Sequence, residues 1–153
     1  RCMKAGARIR ALDQPENKMS KSAENEHSRI SLLDDPSKIK KSIMRATTDS
    51  DGTVKYDPEN KPGISNLMTI YSAFTEKSFD EIEREYAGKG YGDFKKTLVQ
   101  IVTEALTPIQ KRYWEIRGSK ELIEILRDGQ NRAEAISKKT IDRVKEKVGF
   151  GFE

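Results

Sequence analysis

The sequence predicts an all-α protein, a bundle of about five or six helices preceded by a short strand and a mobile loop. Two observations indicate this fold class. After residue 36, apolar residues recur at helical spacing, and capping residues, proline or glycine bound each stretch. Before residue 36 that periodicity is weak, and polar, turn-forming residues dominate. The 153 residues are 35% hydrophobic and 35% charged, so we expect a small core beneath a heavily charged surface.

The first 35 residues contain the predicted strand and loop. Ile9 and Ala11 alternate with polar positions, which favours a short strand over residues 7–12. Turn-forming and polar residues follow it and predict a mobile loop, beginning with Asp13, Pro15 and Asn17.

Local signals mark the start of the next three helices. Asp35 followed by Pro36 predicts an N-cap with proline at the first helical position, and this helix ends near Thr47. After a turn at Asp51–Gly52, Pro62 opens a helix with a continuous apolar stripe of Ile64, Leu67, Met68, Tyr71 and Phe74. Ser78 and Glu81 have the spacing of a capping box in front of a third helix.

Glycines and a proline punctuate the rest of the chain. Gly88, Gly90 and Gly92 predict a corner between two helices, and we expect Pro108 to kink or interrupt the long helix that follows from about Asp93. The inward positions of that helix include Phe94, Leu98, Ile101, Val102, Ala105, Ile109 and Tyr113, and we expect Tyr113 and Trp114 to pack in the core.

Two further helices are expected near the end of the chain. Ser119 predicts a cap for a short helix through Arg127, with Gly129 just beyond it. Asn131 and Glu134 then cap a last helix, whose inward face comprises Ala133, Ile136, Ile141, Val144 and Val148.

Composition excludes several classes of function. A single cysteine excludes an internal disulfide framework and fits a reducing compartment, and no apolar run approaches the ~20 residues of a membrane span. His27 is the only histidine, so no histidine-based metal cluster or Ser–His relay can form, and we expect it on the surface or in a loop. Residues 1–45 carry 11 basic and 6 acidic side chains, a balance of +5 that suits a polyphosphate or nucleic-acid partner, although ordinary solvated surface is an alternative.

One pentapeptide could carry chemistry: Lys18, Met19, Ser20, Lys21 and Ser22. Two ammonium groups three residues apart can close over a triphosphate and stabilise the charge that develops on a departing pyrophosphate. The serine hydroxyls can donate to phosphate oxygens or fix the loop. In a chain this rich in lysine, the pentapeptide alone is a modest signal, and we refer to it below as the 18–22 loop.

Its context resembles a known family. The 18–22 loop matches the KMSKS loop of class I aminoacyl-tRNA synthetases, and the flanking blocks resemble the bacterial-type tryptophanyl-tRNA synthetases. Those blocks, in family order, are Gly6–Ala7–Arg8–Ile9, Leu32–Leu33–Asp34–Asp35–Pro36, Thr48–Asp49–Ser50, Lys61–Pro62–Gly63–Ile64–Ser65–Asn66–Leu67 and Gly88–Lys89–Gly90–Tyr91–Gly92. Tyrosyl-tRNA synthetases share the general plan but match these blocks less well.

The resemblance implies a role for each residue of the site. Lys18 and Lys21 would be the catalytic pair that holds the ATP phosphates and pyrophosphate, Met19, Ser20 and Ser22 would complete the ATP-binding loop, and Ile9 would lie beside the adenosine. The implied reaction activates L-tryptophan with Mg·ATP to an adenylate and transfers it to the cognate tRNA(Trp). The Mg²⁺ would be carried by ATP, and no protein metal site is expected.

The resemblance also implies a domain organisation. Residues 1–35 would be the end of a catalytic nucleotide-binding domain, and residues 36–153 a helical domain like those that bind the tRNA anticodon. We expect a cytoplasmic homodimer in the full-length protein and no membrane partner. Because the HIGH-like motif and the tryptophan pocket do not occur in this sequence and the chain begins at Arg1, we expect a C-terminal fragment that is inactive alone.

Some features stay open at the level of sequence. Arg10 stands where the family more often has methionine, and Ala23–Glu24 where Asp–Pro is commoner. No motif marks the tRNA contacts, for which Lys111, Arg112 and Arg117 are only candidates. A standalone helical RNA-binding module without ligase activity and a purely structural helical domain are the two alternative functions.

Overall fold

The computed structural model describes residues 8–150, and over this range the chain forms five α-helices and no β-strand. The helices are α1 (Pro36–Arg45), α2 (Pro62–Thr75), α3 (Phe79–Glu85), α4 (Tyr91–Arg117) and α5 (Glu121–Val148), with a 3₁₀ turn at Glu26–Ser28. This confirms the all-α prediction. The chain divides into two compact units, Arg1–Gln110 and Lys111–Glu153. This division does not test the domain boundary expected at residue 35, which stays a prediction.

The short strand expected over residues 7–12 is reduced to one isolated antiparallel bridge, between Arg10 and Lys18. Ala7 lies outside the described residues. The backbone N–H of Ala11 donates to the carbonyl of Asn17 (2.9 Å), and that of Leu12 to the carbonyl of Ser28 (2.8 Å). Because carbonyls of irregular segments receive these N–H groups, the segment is held in place without a second strand beside it.

The core of the first unit surrounds α2. All ten residues Gly63–Ser72 are buried, because α1, α3 and α4 contribute apolar side chains to the same cluster as α2. Tyr71 of α2 stacks on Phe94 of α4 with ring centroids 5.4 Å apart, and Tyr86 meets Phe94 edge-on at 5.0 Å. The predicted apolar stripe of α2 is therefore confirmed, except that Phe74 at its end is 44% exposed.

The caps predicted for α1 and α3 and the glycine corner before α4 are confirmed. The Asp35 carboxylate accepts from the backbone N–H groups of Ser37 (2.9 Å) and Lys38 (3.0 Å) at the start of α1. Ser78 and Glu81 form a reciprocal capping box at the start of α3. The corner between α3 and α4 has Gly88 at φ +77°, in the left-handed region where a side chain is strained.

Gly63 lets the α1–α2 connection approach α2 closely. A Cβ atom built at this position would lie 2.0 Å from the carbonyl oxygen of Thr47. The backbone N–H of Thr47 in turn donates to the carbonyl of Leu12 (2.7 Å), and its hydroxyl donates to the carbonyl of Asp13 (2.7 Å). The glycine thus allows one connection to hold both α2 and the segment before the 18–22 loop.

Of the two outcomes expected at Pro108, a kink or an interruption, the interruption does not occur, since α4 continues through Pro108 to Arg117. The prediction of two separate helices after Ser119 is wrong, because α5 runs unbroken through Gly129 and Asn131. Gly129 costs a helix interior only about 1 kcal/mol relative to alanine, which is less than the cost of starting a new helix.

Burial in the second unit also differs from the prediction. No residue of α5 is buried, and the expected inward face is exposed, including Ile136, Ile141, Val144 and Val148. Trp114 is 58% exposed instead of packed in the core, and it meets Tyr113 edge-on with ring centroids 5.0 Å apart. Helical spacing identifies a shared face, but it does not determine whether anything covers that face.

Candidate functional site

The 18–22 loop presents one apolar and four polar side chains in different environments. Lys18, Ser20, Lys21 and Ser22 are exposed, whereas Met19 is half-buried and packs against the core. Met19 lines an apolar pocket of about 270 Å³ whose other walls are Ile9, Ile30, Leu32, Ile70, Ala73, Phe74, Val102 and Leu106. The methionine therefore anchors the loop to the core while its polar side chains face solvent.

The segment before the loop, residues 9–12, forms a stem beneath it. The backbone N–H of Met19 donates to the carbonyl of Ile9 (3.2 Å), next to the Arg10–Lys18 bridge. The guanidinium of Arg10 donates to the carbonyl of Glu16 (2.9 Å) and so closes the turn between stem and loop. Arg10, which departs from the family pattern, thus has a structural role that the sequence did not indicate.

A buried amide on α2 holds the stem. The backbone N–H of Arg10 donates to Oδ1 of Asn66 (2.9 Å), and Nδ2 of Asn66 donates back to the carbonyl of Arg10 (2.9 Å). Asn66 is only 6% exposed. Both backbone groups of one stem residue are therefore satisfied by a single side chain 56 positions away in the sequence.

The exit of the loop is also held in place. The hydroxyls of Ser20 and Ser22 lie 3.1 Å apart, and the N–H of Ala23 donates to the carbonyl of Ser20 (3.4 Å) in a tight turn. The guanidinium of Arg29 donates to the carbonyl of Ala23 (2.7 Å). The Ala23–Glu24 exit, a second departure from the family, is fixed by this arginine.

The two lysines of the loop differ from Lys38, which is paired with carboxylates. Within residues 8–150, neither Lys18 nor Lys21 forms an ion pair with a carboxylate. By contrast, Lys38 pairs with Glu26 (3.0 Å) and Asp34 (3.2 Å), and hydrogen bonds to these two carboxylates raise its pKa. The positive charge of the loop is thus not neutralised by this part of the chain.

A polar cleft of about 380 Å³ lies beside the loop, and its walls include Lys18, Ser20 and Ser28. The Ser28 side chain is buried, at 3% exposure, and its hydroxyl has no hydrogen-bond partner among the described residues. The cleft therefore combines a cation and hydroxyl donors, which are suitable groups for contacting oxygen-rich ligands, with two acidic side chains, Asp13 and Glu24.

His27 lies on the 3₁₀ turn, half-buried, with Nδ1 3.2 Å from the hydroxyl of Ser42. This agrees with the expectation of a loop residue. Over residues 8–150, no three histidine, cysteine, aspartate or glutamate side chains gather in a way that could hold a metal ion.

Three of the sequence blocks that carry the family resemblance meet at one polar cluster. The Tyr91 hydroxyl donates to both carboxylate oxygens of Asp49 (2.8 Å each), and the ammonium of Lys61 lies 3.8 Å from Asp49 and pairs with Asp51. Burial is the largest cause that raises the pKa of Tyr91 to about 12. The cluster ties the α1–α2 connection to the first turns of α2 and α4.

Sequence reasoning located the 18–22 loop but missed the groups that hold it. The loop is supported by contacts of Asn66, Arg29 and Arg10 that no sequence motif indicates. Of these residues, Asn66 falls within a block that carries the family resemblance. A polar residue inside the apolar stripe of α2 was the available signal, because a buried amide must find partners.

The structure thus presents an exposed lysine–serine loop that is held on a short stem against a helical core, as expected from the family resemblance. The chain belongs to the class I tRNA synthetases (W and Y), a family that matches residues 5–107. Within that class, the similar curated relatives include several tryptophan–tRNA ligases. The ligase of Bacillus anthracis is 52% identical over 98% of this chain, and that of Bacillus subtilis is 48% identical over 97%.

Solved structures agree with this assignment. The tryptophanyl-tRNA synthetase of Mycoplasma pneumoniae superposes with a TM-score of 0.85 at 30% identity, over 99% of this chain and 45% of its own. The Campylobacter jejuni enzyme complexed with ADP and tryptophan gives a TM-score of 0.68 at 28% identity, over 97% of this chain and 46% of its own. The chain also spans just under half the length of the curated relatives, 46% for the Bacillus anthracis ligase.

Proposed function

We propose that this chain is the C-terminal part of an ATP-dependent tryptophan–tRNA ligase, and that the 18–22 loop binds the phosphates of ATP during tryptophan activation. The main observation is the loop itself, whose two lysines are exposed and have no acidic partner among residues 8–150. The 52% identity to a tryptophan–tRNA ligase supports tryptophan over tyrosine as the amino acid.

In this proposal Lys18 and Lys21 contact the triphosphate and stabilise the charge that moves onto pyrophosphate as the adenylate forms. Ser20 and Ser22 donate hydrogen bonds to phosphate oxygens or to each other, as they do at 3.1 Å in this structure. The Mg²⁺ that accompanies ATP would be held by the phosphates and would neutralise part of their charge. Ile9 would lie at the base of the adenosine site.

The activation step therefore depends on where the loop is held. Ground-state binding of tryptophan requires groups outside this sequence, whereas the loop acts on charge that develops only in the transition state. We accordingly assign the loop to the rate of activation and not to amino-acid affinity.

We further propose that the helical remainder contacts tRNA(Trp). Support comes from the end of α4, where the Arg117 guanidinium lies over the Tyr113 and Trp114 rings at 5.6 and 5.4 Å and Trp114 is 58% exposed. Exposed aromatic rings flanked by arginine can stack on unpaired bases. Arg112 is less available, because it pairs with Glu121, while Lys111 remains a candidate for phosphate contact. Homodimer formation and a cytoplasmic location belong to the same proposal. As a separate finding, none of the helices within residues 8–150 has the length and hydrophobicity of a membrane span.

Substitution of Lys21 by alanine in the full-length protein tests the proposal. The rate of tryptophan-dependent ATP–pyrophosphate exchange should fall about 100-fold or more, as expected on removal of one transition-state contact, while the Kd for tryptophan changes little. Lys40→Ala is the matched control, because Lys40 is another exposed lysine of the same unit. Equal losses in rate and in tryptophan affinity, or an equal effect of Lys40→Ala, would contradict the proposed role of the loop.

A further inference from the structure

Two long-range hydrogen bonds join Asn66 of α2 to Arg10 in the stem of the 18–22 loop. We propose that Asn66 is a positioning residue, which determines the position of the 18–22 loop relative to α2 by holding the stem against this helix. This inference rests on the proposed function, because it concerns the rate that the loop supports. It assigns no contact between Asn66 and substrate.

The geometry leaves the amide one useful orientation. Its Oδ1 accepts from the Arg10 N–H and its Nδ2 donates to the Arg10 carbonyl, both at 2.9 Å. A flipped amide would set donor against donor and acceptor against acceptor. The contact therefore fixes the Arg10 peptide groups in both position and rotation, which a single hydrogen bond could not do.

The clamp connects two rigid parts through one residue. On one side Asn66 lies in the buried run of α2, at 6% exposure, with its helix packed against the core. On the other side Arg10 bridges Lys18, the first lysine of the loop. Arg10 is thus the only residue between the Asn66 side chain and Lys18 in this series of contacts, so a displacement of the stem would also displace the loop.

Other contacts hold the stem at its far end and cannot replace the clamp. Thr47 binds the carbonyls of Leu12 and Asp13, and the N–H of Leu12 donates to Ser28. These contacts lie two to three residues beyond Arg10, away from Lys18. Loss of the Asn66 amide would leave the Arg10 backbone without its hydrogen bonds to α2, so that side-chain packing of Ile9 and Met19 alone would hold this part of the stem against the helix.

The effect should appear in the rate more than in binding. A displacement of about 1 Å at a group that acts on developing charge can lower a rate about 100-fold. We therefore expect Asn66→Ala in the full-length enzyme to lower kcat of ATP–pyrophosphate exchange about 10- to 100-fold, with the KM for tryptophan unchanged. Amide hydrogen exchange at Arg10, Ala11 and Met19 should accelerate, while that of α4 is preserved.

Thr69→Val is the matched control. Thr69 is buried on the same helix at 9% exposure, and its hydroxyl bonds only to the carbonyl of Ser65 within α2. The variant removes one buried polar contact of α2 without touching the stem. It should keep wild-type kcat and wild-type amide exchange at Met19, whatever the change in melting temperature.

The outcomes separate the clamp from a general loss of stability and from failure of the proposed function. Wild-type amide exchange at Met19 in Asn66→Ala would overturn the clamp, as would an equal fall of kcat in Thr69→Val. A parallel Lys21→Ala measurement tests the loop itself. If Lys21→Ala leaves kcat unchanged, the proposed function fails, whereas faster exchange at Met19 in Asn66→Ala would still support the clamp as a structural device.

Discussion

Replacement of Gly63 by alanine tests the packing that brings the α1–α2 connection against α2. The added Cβ would lie 2.0 Å from the Thr47 carbonyl oxygen, and real Cβ contacts are essentially never shorter than 3.0 Å, so the backbone must separate by about 1.0 Å. Two other backbone atoms also lie close to it, the carbonyl carbon of Thr47 at 3.0 Å and the Cα of Thr48 at 3.2 Å. A flexible side chain cannot relieve this contact, because all three neighbours are backbone atoms.

The magnitude follows from three contributions. Overpacking of this kind costs about 2 kcal/mol. Displacement of Thr47 weakens its bonds to the carbonyls of Leu12 and Asp13, both 2.7 Å, at about 1 kcal/mol each. Alanine regains about 1 kcal/mol of helix propensity over glycine. The net expectation is a loss of about 3 kcal/mol in the free energy of unfolding.

Urea unfolding followed by circular dichroism measures this loss, and Gly92→Ala provides the control. Gly92 is the second residue of α4 as Gly63 is of α2, but nothing lies within 4 Å of its Cβ position. Gly92→Ala should be neutral or stabilising by up to about 1 kcal/mol. Indistinguishable midpoints for the two variants would refute the close-packing argument.

Three further predictions concern other parts of the molecule. Tyr91→Phe should lower stability below pH 10, because it removes the hydrogen bond to Asp49. Burial is the main cause that raises the pKa of Tyr91 from 10.0 to about 12, so the wild type should lose stability as pH rises above 10 and the difference between the two proteins, measured by urea unfolding at several pH values, should shrink; a constant difference would contradict the raised pKa. Ser78→Ala should cost about 1 kcal/mol in the same assay by removing the capping box with Glu81, and a neutral result would show that α3 needs no cap. The 153-residue chain alone should give no tryptophan-dependent ATP–pyrophosphate exchange, and robust exchange would refute the proposal that it is one part of a larger enzyme.

Features set by neighbouring residues could be predicted from the sequence. Asp35 with Pro36, and Ser78 with Glu81, act within one helical turn, so their caps follow from local geometry. Gly129 and Asn131 carry the same kinds of signal but occur inside α5. A glycine ends a helix only where the backbone turns left-handed, as Gly149 does at φ +76°, and residue identity alone does not specify that turn.

The site could be predicted only in part for a related reason. The 18–22 loop is a contiguous pattern and could be recognised directly. Asn66 and Arg10 are 56 positions apart, and their pairing depends on how α2 packs, which no local pattern encodes. Trp114 shows the converse, since its helical spacing suggested burial but its ring is 58% exposed.

The anchoring of the loop at both ends has an entropic consequence. The N–H of Met19 is tied to Ile9 and the carbonyl of Ala23 to Arg29, so only residues 20–22 lie between the two fixed points. Ordering the backbone of one residue costs about 1–2 kcal/mol at room temperature. A phosphate ligand that orders the three residues 20–22 would therefore incur an entropic cost of at most about 3–6 kcal/mol. Fixing the whole connection from residue 13 to residue 25 at the moment of binding would cost several times more. The short span therefore leaves most of the interaction energy with phosphate available for affinity and rate.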